Sequence, residues 1–197
     1  MNAPLPLRGG KKLPAQLGVL GVGTRVKEAP ARNASLEIGP TGGVAVDRST
    51  ATADPAICAC GDGAKKVSLW GGQPSTLKLA SIAQFEARVA GANGFDRRRE
   101  NEGTVGAWST VVDGWVLGTA SLTESIAHTR GYHVISGTCE TPDRHPAGIP
   151  GAAKMKTKLV FEAHTRELPG GQVRGGVAAG GRHIGVCPPG RIFDPPR

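Results

Sequence analysis

Apolar residues in this chain come in short bursts separated by turn-forming residues, and the bursts change character near residue 100. In the first half, "LGVLGVG" (Leu17–Gly23) is a small apolar run closed by Thr24-Arg25, which predicts a strand. "LEIGPTGGVAVD" predicts a strand, a turn over Gly-Pro and Gly-Gly, and a second strand; Ala56–Cys60 predicts one more short strand. A single stretch, "PSTLKLASIAQFEARVAGANG", has helical spacing, with Leu79, Ile82, Ala83, Val89 and Ala90 on one side. Ser75 or Thr76 is its expected cap, Glu86 interrupts the apolar stripe, and Gly91 and Gly94 close it. The charged run "DRRREN" at 96–101 reads as a connector.

From Gly103 onward the pattern becomes that of strands with tight turns. "TVGAWSTVVDGWVLGTASL" predicts two antiparallel strands around Asp113-Gly114, a strong hairpin signal. "LTESIAHTRGY" predicts a short helix capped by Thr123 and stopped by Gly131. "YHVISGTC", "MKTKLVFEA" and "ELPGGQVRGG" predict further strands, the last two joined as a hairpin through His164–Glu167. Met155, Thr157, Leu159 and Phe161 alternate with Lys156, Lys158 and Val160, as on a half-buried strand. The final stretch, "AAGGRHIGVCPPGRIFDPPR", is too rich in Gly and Pro to predict regular structure. The chain thus reads as the end of an α/β unit followed by a smaller α+β unit of mostly antiparallel strands.

Composition narrows this picture. The chain has 197 residues, 39% hydrophobic and only 4% aromatic, with 30 Gly and 15 Pro, which points to long loops and a thin core. A net charge of +8 favours anionic partners without identifying one. No apolar stretch approaches the roughly 20 residues of a membrane span, so no membrane partner is expected. The start lacks the charged-then-apolar order of a signal peptide, and four cysteines without such a signal suggest free thiols in a reducing compartment. The expected location is cytoplasmic.

Few residues are placed for chemistry. Cys58-Ala59-Cys60 puts two thiols on one face of a strand, but Cys139 and Cys187 stand alone, and a structural zinc needs four ligands. Cysteines serving as small core residues are the simpler reading, and no metal site is expected. His145 sits in a loop without a patterned carboxylate, and there is no G-x-S-x-G, H-E-x-x-H or P-loop, so no catalytic residue is assigned. Gly61-Asp62 remains. A carboxylate just past the carboxyl end of a parallel strand is where α/β proteins meet ribose-like hydroxyls. The helix after it offers free N–H groups suited to an anionic or carbonyl oxygen. On spacing alone, an ordinary turn explains Gly-Asp equally well.

The order of the pieces carries more information. "VLGVGTR", "LEIGPTGGVAVDRSTATADPAICACGDG", "LKLASIAQFEARVAGANG", "GTVGAWSTVVDGWVLGTASLTESIAHTRGY" and "PAGIPGAAKMKTKLVFEAHTRELPGGQVRGG" follow one another from about Leu13 to Gly176. Their sequence resembles the C-terminal part of the flavin-dependent pyridine nucleotide-disulfide oxidoreductases. It is most similar to the branch of NADH oxidases, NADH peroxidases and coenzyme A-disulfide reductases. The T-x-D-P-x-I-x-A-x-G-D and P-G-A-x-K-M-x-x-K-L-x-F strings are specific in combination. The resemblance implies an α+β chain: residues 1–100 the tail of an α/β FAD/NAD(P)-binding region, residues 101–197 a dimerisation domain with mostly antiparallel strands. It implies that Asp62 would bind the ribityl hydroxyls of FAD, with Gly61 allowing close approach. The backbone around Leu79, Ala80 and Ser81 would face the pyrimidine edge of the flavin. NAD(P)H would be the co-substrate, and a homodimer would form through residues 103–176.

The chain also departs from the family. The dinucleotide-binding G-x-G-x-x-G, the redox cysteine and most of the NADH site are not among these residues, so the resemblance implies a partial FAD site. In the helix, where the family carries Pro-Ala-Asn-(Arg/Lys)-Gln-Gly-Arg, this chain has Ile82–Arg88 and keeps only Ala83 and Arg88. Three functional readings result, in this order. The first is an FAD-dependent NAD(P)H oxidoreductase portion, inactive alone. The second is a noncatalytic dimerisation or interaction module. The third is a basic nucleic-acid binder, against which the scarcity of aromatic side chains for base stacking argues.

Overall fold

The computed structural model describes residues 3–6, 8–96, 99–143 and 148–176. His145, Cys187 and the Gly/Pro-rich stretch from 177 on lie outside the described residues. The elements in chain order are β1 (Ala3–Pro6), β2 (Lys12–Ala15), α1 (Ala29–Asn33), a 3-10 turn (Gly61–Gly63), β3 (Lys66–Val67), β4 (Pro74–Ser75) and α2 (Ala80–Asn93). They continue with β5 (Ala107–Val112), β6 (Trp115–Ser121), α3 (Glu124–Thr129), β7 (Val134–Pro142), β8 (Lys154–Glu162) and β9 (Gly170–Gly176). Every ladder between named strands is antiparallel, so the mixed helix-and-strand class expected from the sequence holds.

The first half departs from its predicted strands. Leu17–Gly23 is not a strand: no partner strand among the described residues reaches it, and Leu17, Val19, Leu20 and Val22 stand 84–87% exposed. The Gly-Pro/Gly-Gly segment does fold back on itself, but through the single antiparallel bridge Ile38↔Val44 rather than a ladder. Ala56–Cys60 is likewise not a strand. It contributes one bridge, Ala51↔Cys58, after a turn that the T-x-D-P string builds from its own side chains. The Thr52 hydroxyl accepts from the Asp54 N–H at 3.1 Å, and the Asp54 carboxylate accepts from the Ala56 N–H at 2.9 Å. Side chains that bond nearby backbone in this way compete with extended pairing.

The second half follows its sequence closely. Asp113 (φ 47) and Gly114 (φ 75) form the two-residue turn of the β5–β6 hairpin, in the paired positive-φ form that matches strand twist. The Thr123 side chain accepts from the Ile126 N–H and caps α3. The resulting sheet runs β5-β6-β9-β8-β7. Register places Val160, Lys158 and Ser136 on one face, where Glu124 of α3 accepts hydrogen bonds from Lys158 and from Ser136. The opposite face carries Val111, Val116 and Met155 along one cross-strand row, with Leu159, Phe161 and Ile135 further along. Val111 (60%), Ile135 (58%) and Leu159 (38%) of that face remain exposed. The core is thin, as the composition predicted: among the described residues only Val89 and Val160 are large side chains that are fully buried.

Candidate functional site

Gly61-Asp62 lies where the chain turns back beneath α2. Cys60 is extended, Gly61 takes φ +68, and Gly61–Gly63 closes a 3-10 turn in which the Ala64 N–H donates to the Gly61 carbonyl at 3.1 Å. Only glycine enters that left-handed region without strain. A Cβ at Gly61 would lie 3.6 Å from the Ala83 Cβ, so the turn packs on the first turn of α2. The segment ahead of Asp62 is not the parallel strand that the sequence reading expected: Cys58 pairs antiparallel with Ala51, and the one parallel bridge, Val44↔Ala64, lies just after Asp62. The Val44 N–H donates to the Gly63 carbonyl at 2.7 Å and fixes the far end of the turn. Asp62, between these two anchors, is exposed.

The helix begins later than its sequence suggested. Ser75 and Thr76 do not cap it. Ser75 is committed to β4, paired with Lys66, and its hydroxyl accepts from the Leu77 N–H at 3.3 Å. The cap position falls instead on Leu79, extended at φ −132, with no side-chain cap. The first intrahelical bond runs from the Ala83 N–H to the Leu79 carbonyl, so the N–H groups of Ala80, Ser81 and Ile82 precede it. At the other end Gly94 is the cap residue, whereas Gly91 lies inside the helix.

What holds the turn against the helix is a pair of charges that sequence reasoning missed. Glu86 does not interrupt the apolar stripe of α2. It is buried on the same face as Ile82 and Val89. Its carboxylate lies 2.9 Å from the Lys66 ammonium, with side chains only 3% and 4% exposed. Glu86 Oε2 also accepts from the Gly61 N–H at 2.8 Å. Lys66 Nζ donates to the carbonyls of Ala64, at 2.9 Å, and of Gly61. The buried ammonium is thus both hydrogen-bonded and paired with a counter-charge, as burial of a charge demands. The signal available beforehand was a lone acid at a core spacing and a lysine three residues past the turn.

The five residues singled out from the sequence thus fall on two neighbouring elements: Gly61 and Asp62 on the turn, Leu79, Ala80 and Ser81 at the start of α2. An exposed carboxylate accepts hydrogen bonds from hydroxyls, and an uncapped helix start offers N–H donors and positive potential. Donor set and acceptor together fit a group with a polyol arm and an electron-rich ring edge, the chemistry of a flavin. The cysteines, by contrast, do not act as packing: Cys58, Cys60 and Cys139 are all exposed. Among the described residues no three His, Cys, Asp or Glu side chains gather as metal ligands, and no helix is long and apolar enough to cross a membrane.

Comparison with known proteins agrees with the resemblance. Residues 4–87 match the family profile described as pyridine nucleotide-disulphide oxidoreductase. An NADH oxidase of Enterococcus faecalis is 28% identical over 134 residues, 68% of this chain and 30% of that protein. The structure of an NAD-dependent persulfide reductase from A. fulgidus superposes with a TM-score of 0.81 at 27% identity, covering 89% of this chain and 32% of its own. That of an FAD-dependent pyridine nucleotide-disulphide oxidoreductase from Desulfovibrio vulgaris gives a TM-score of 0.68 at 30% identity, covering 83% and 38%. The chain therefore resembles a part of the pyridine nucleotide-disulfide oxidoreductases of the NADH oxidase and persulfide reductase branch, and it spans about a third of the length of these relatives.

Proposed function

We propose that this chain supplies the flavin-facing portion of an FAD-dependent NAD(P)H oxidoreductase. The observation that supports the reading is the packing of the Gly61–Gly63 turn, which carries Asp62, on the first turn of an α2 whose start has no side-chain cap. Asp62 would accept hydrogen bonds from the ribityl hydroxyls, and the Leu79, Ala80 and Ser81 backbone would face the pyrimidine edge. When bound, FAD would supply two-electron acceptance from NAD(P)H. This chain's contribution is to orient the ring and to oppose the negative charge of its reduced form with the helix dipole. The dinucleotide-binding glycines and redox cysteine that the resemblance implies are not among these 197 residues. As isolated, the chain is accordingly expected to be colourless and to consume no oxygen with NADH.

Flavin fluorescence titration with FAD tests the reading. The wild-type chain should show saturable binding, and Asp62→Asn should weaken it about tenfold, the loss of about 1.4 kcal/mol expected for charge-assisted bonds. Equal affinity in wild type and variant, or no binding, refutes it. A second reading rests on a separate observation, the exposed apolar sheet face around Val111, Ile135 and Leu159. It has residues 103–176 acting as a self-association surface, which light scattering on the purified chain tests: a dimer supports it, and a strict monomer at high concentration removes it.

A further inference from the structure

The buried pair Lys66–Glu86 bonds backbone on both sides of Asp62. Glu86 takes the Gly61 N–H, and Lys66 takes the Gly61 and Ala64 carbonyls. The ion pair itself joins these contacts across from the turn to α2. We propose that Lys66 and Glu86 are positioning residues: a clamp that fixes the Gly61–Ala64 turn relative to the start of α2 and so sets where the Asp62 carboxylate meets a ligand. The proposal rests on the flavin reading for the identity of that ligand, but the clamp itself is a property of the chain alone.

Three features make this more than ordinary core packing. Gly61 is held in a left-handed conformation from both its N–H and its carbonyl, by side chains distant in sequence on the donor side. No other backbone donor reaches Glu86 among the bonds of the described residues, so Gly61 is the amide its carboxylate selects. The ammonium spends two protons on backbone carbonyls and lies against the Glu86 carboxylate with its side chain only 4% exposed, which suits a structural role rather than a binding cation.

The test uses the full chain and two readouts. Amide exchange by NMR follows the Gly61 N–H against the Val173 N–H in the central sheet, and fluorescence follows FAD affinity. Glu86→Leu removes the acceptor: Gly61 exchange should accelerate at least tenfold, Val173 should keep its protection, and FAD affinity should fall about tenfold. Glu86→Gln, which retains an oxygen acceptor for Gly61, should recover most of both. If Glu86→Leu loses protection throughout the sheet, the double variant Lys66→Met/Glu86→Leu carries the same expectation without a stranded charge. Unchanged Gly61 exchange and unchanged FAD affinity in the folded variant overturn the clamp while leaving the flavin reading intact. Accelerated Gly61 exchange in a chain whose wild type ignores FAD leaves the clamp standing and sinks the flavin reading.

Discussion

Lys66→Met isolates what the buried ion pair contributes to stability. At 2.9 Å, two unit charges in surroundings of effective dielectric about 20 attract by about 6 kcal/mol. Taking both from water costs several kcal/mol per ion, so the intact pair contributes little net stability. Removing one member is different. With Met at position 66, the Glu86 carboxylate keeps only the Gly61 N–H at 2.8 Å, and the Gly61 and Ala64 carbonyls lose their ammonium donor. Stranding a buried charge costs about 3–5 kcal/mol, which lowers the melting temperature of a chain this size by about 10 °C. Glu86→Gln also leaves a buried charge without its counter-ion, but should cost less, about 2–3 kcal/mol, because Gln still accepts from Gly61 and Lys66 keeps two carbonyls. Replacing both residues, as Lys66→Met/Glu86→Leu, should recover at least about 2 kcal/mol of the Lys66→Met loss. Urea unfolding followed by tryptophan fluorescence measures all four members of the cycle. A Lys66→Met chain within about 1 kcal/mol of wild type, with the same denaturant slope, would refute the reasoning.

Two further perturbations test the sheet. Gly170→Ala places a Cβ 2.0 Å from the Leu122 carbonyl oxygen, backbone that has no room to yield, and should cost more than about 2 kcal/mol; Gly137→Ala, with nothing within 4 Å, should be neutral or gain about 0.5 kcal/mol. Thermal unfolding of the two variants side by side decides it, and equal melting temperatures would contradict the close approach of β9 to Leu122. The hydrogen bond from Lys158, and then that from Ser136, hold the Glu124 carboxyl below its usual pKa of 4.5. A depressed folded value means stability that is present above the unfolded pKa and is lost as pH falls through the folded one, so the loss belongs below about pH 4.5. Glu124→Gln should flatten the acid limb of the stability–pH curve there, and an unchanged limb assigns the loss elsewhere.

What could be read from the sequence divides along the same line as the fold. The second half is built from local signals: Asp113-Gly114 dictates its own hairpin, Thr123 caps α3, and alternation along Met155–Phe161 gives both strand and face. Each signal acts within a few residues, where turn chemistry and side-chain period decide the outcome. In the first half the elements depend on distant partners. Leu17–Gly23 has an apolar run's composition but no strand beside it, and Ala56–Cys60 is preceded by Thr52 and Asp54, whose side chains take the backbone bonds that a ladder needs. The start of α2 moved for a similar reason, since pairing with Lys66 claimed Ser75 before it could cap. Glu86 was misread because an acid at a core spacing looks like an interruption until its cation, twenty residues earlier, is seen to fold underneath it.

That misreading bears on why the pair is there. Two aliphatic side chains of matching volume would fill the space between the turn and α2 without the desolvation cost of two buried ions. They would also leave the Gly61 N–H without its acceptor and the Gly61 and Ala64 carbonyls without their ammonium donor, in a region where Ala64, Lys66 and Glu86 are all buried. The turn would then be free to seek other partners and to carry Asp62 with it. A charge pair with little net contribution to stability but three directed backbone contacts specifies one turn geometry out of several that packing alone permits. Where the core of the described residues holds so few large apolar side chains, that directional control is what fixes the turn that carries the exposed Asp62.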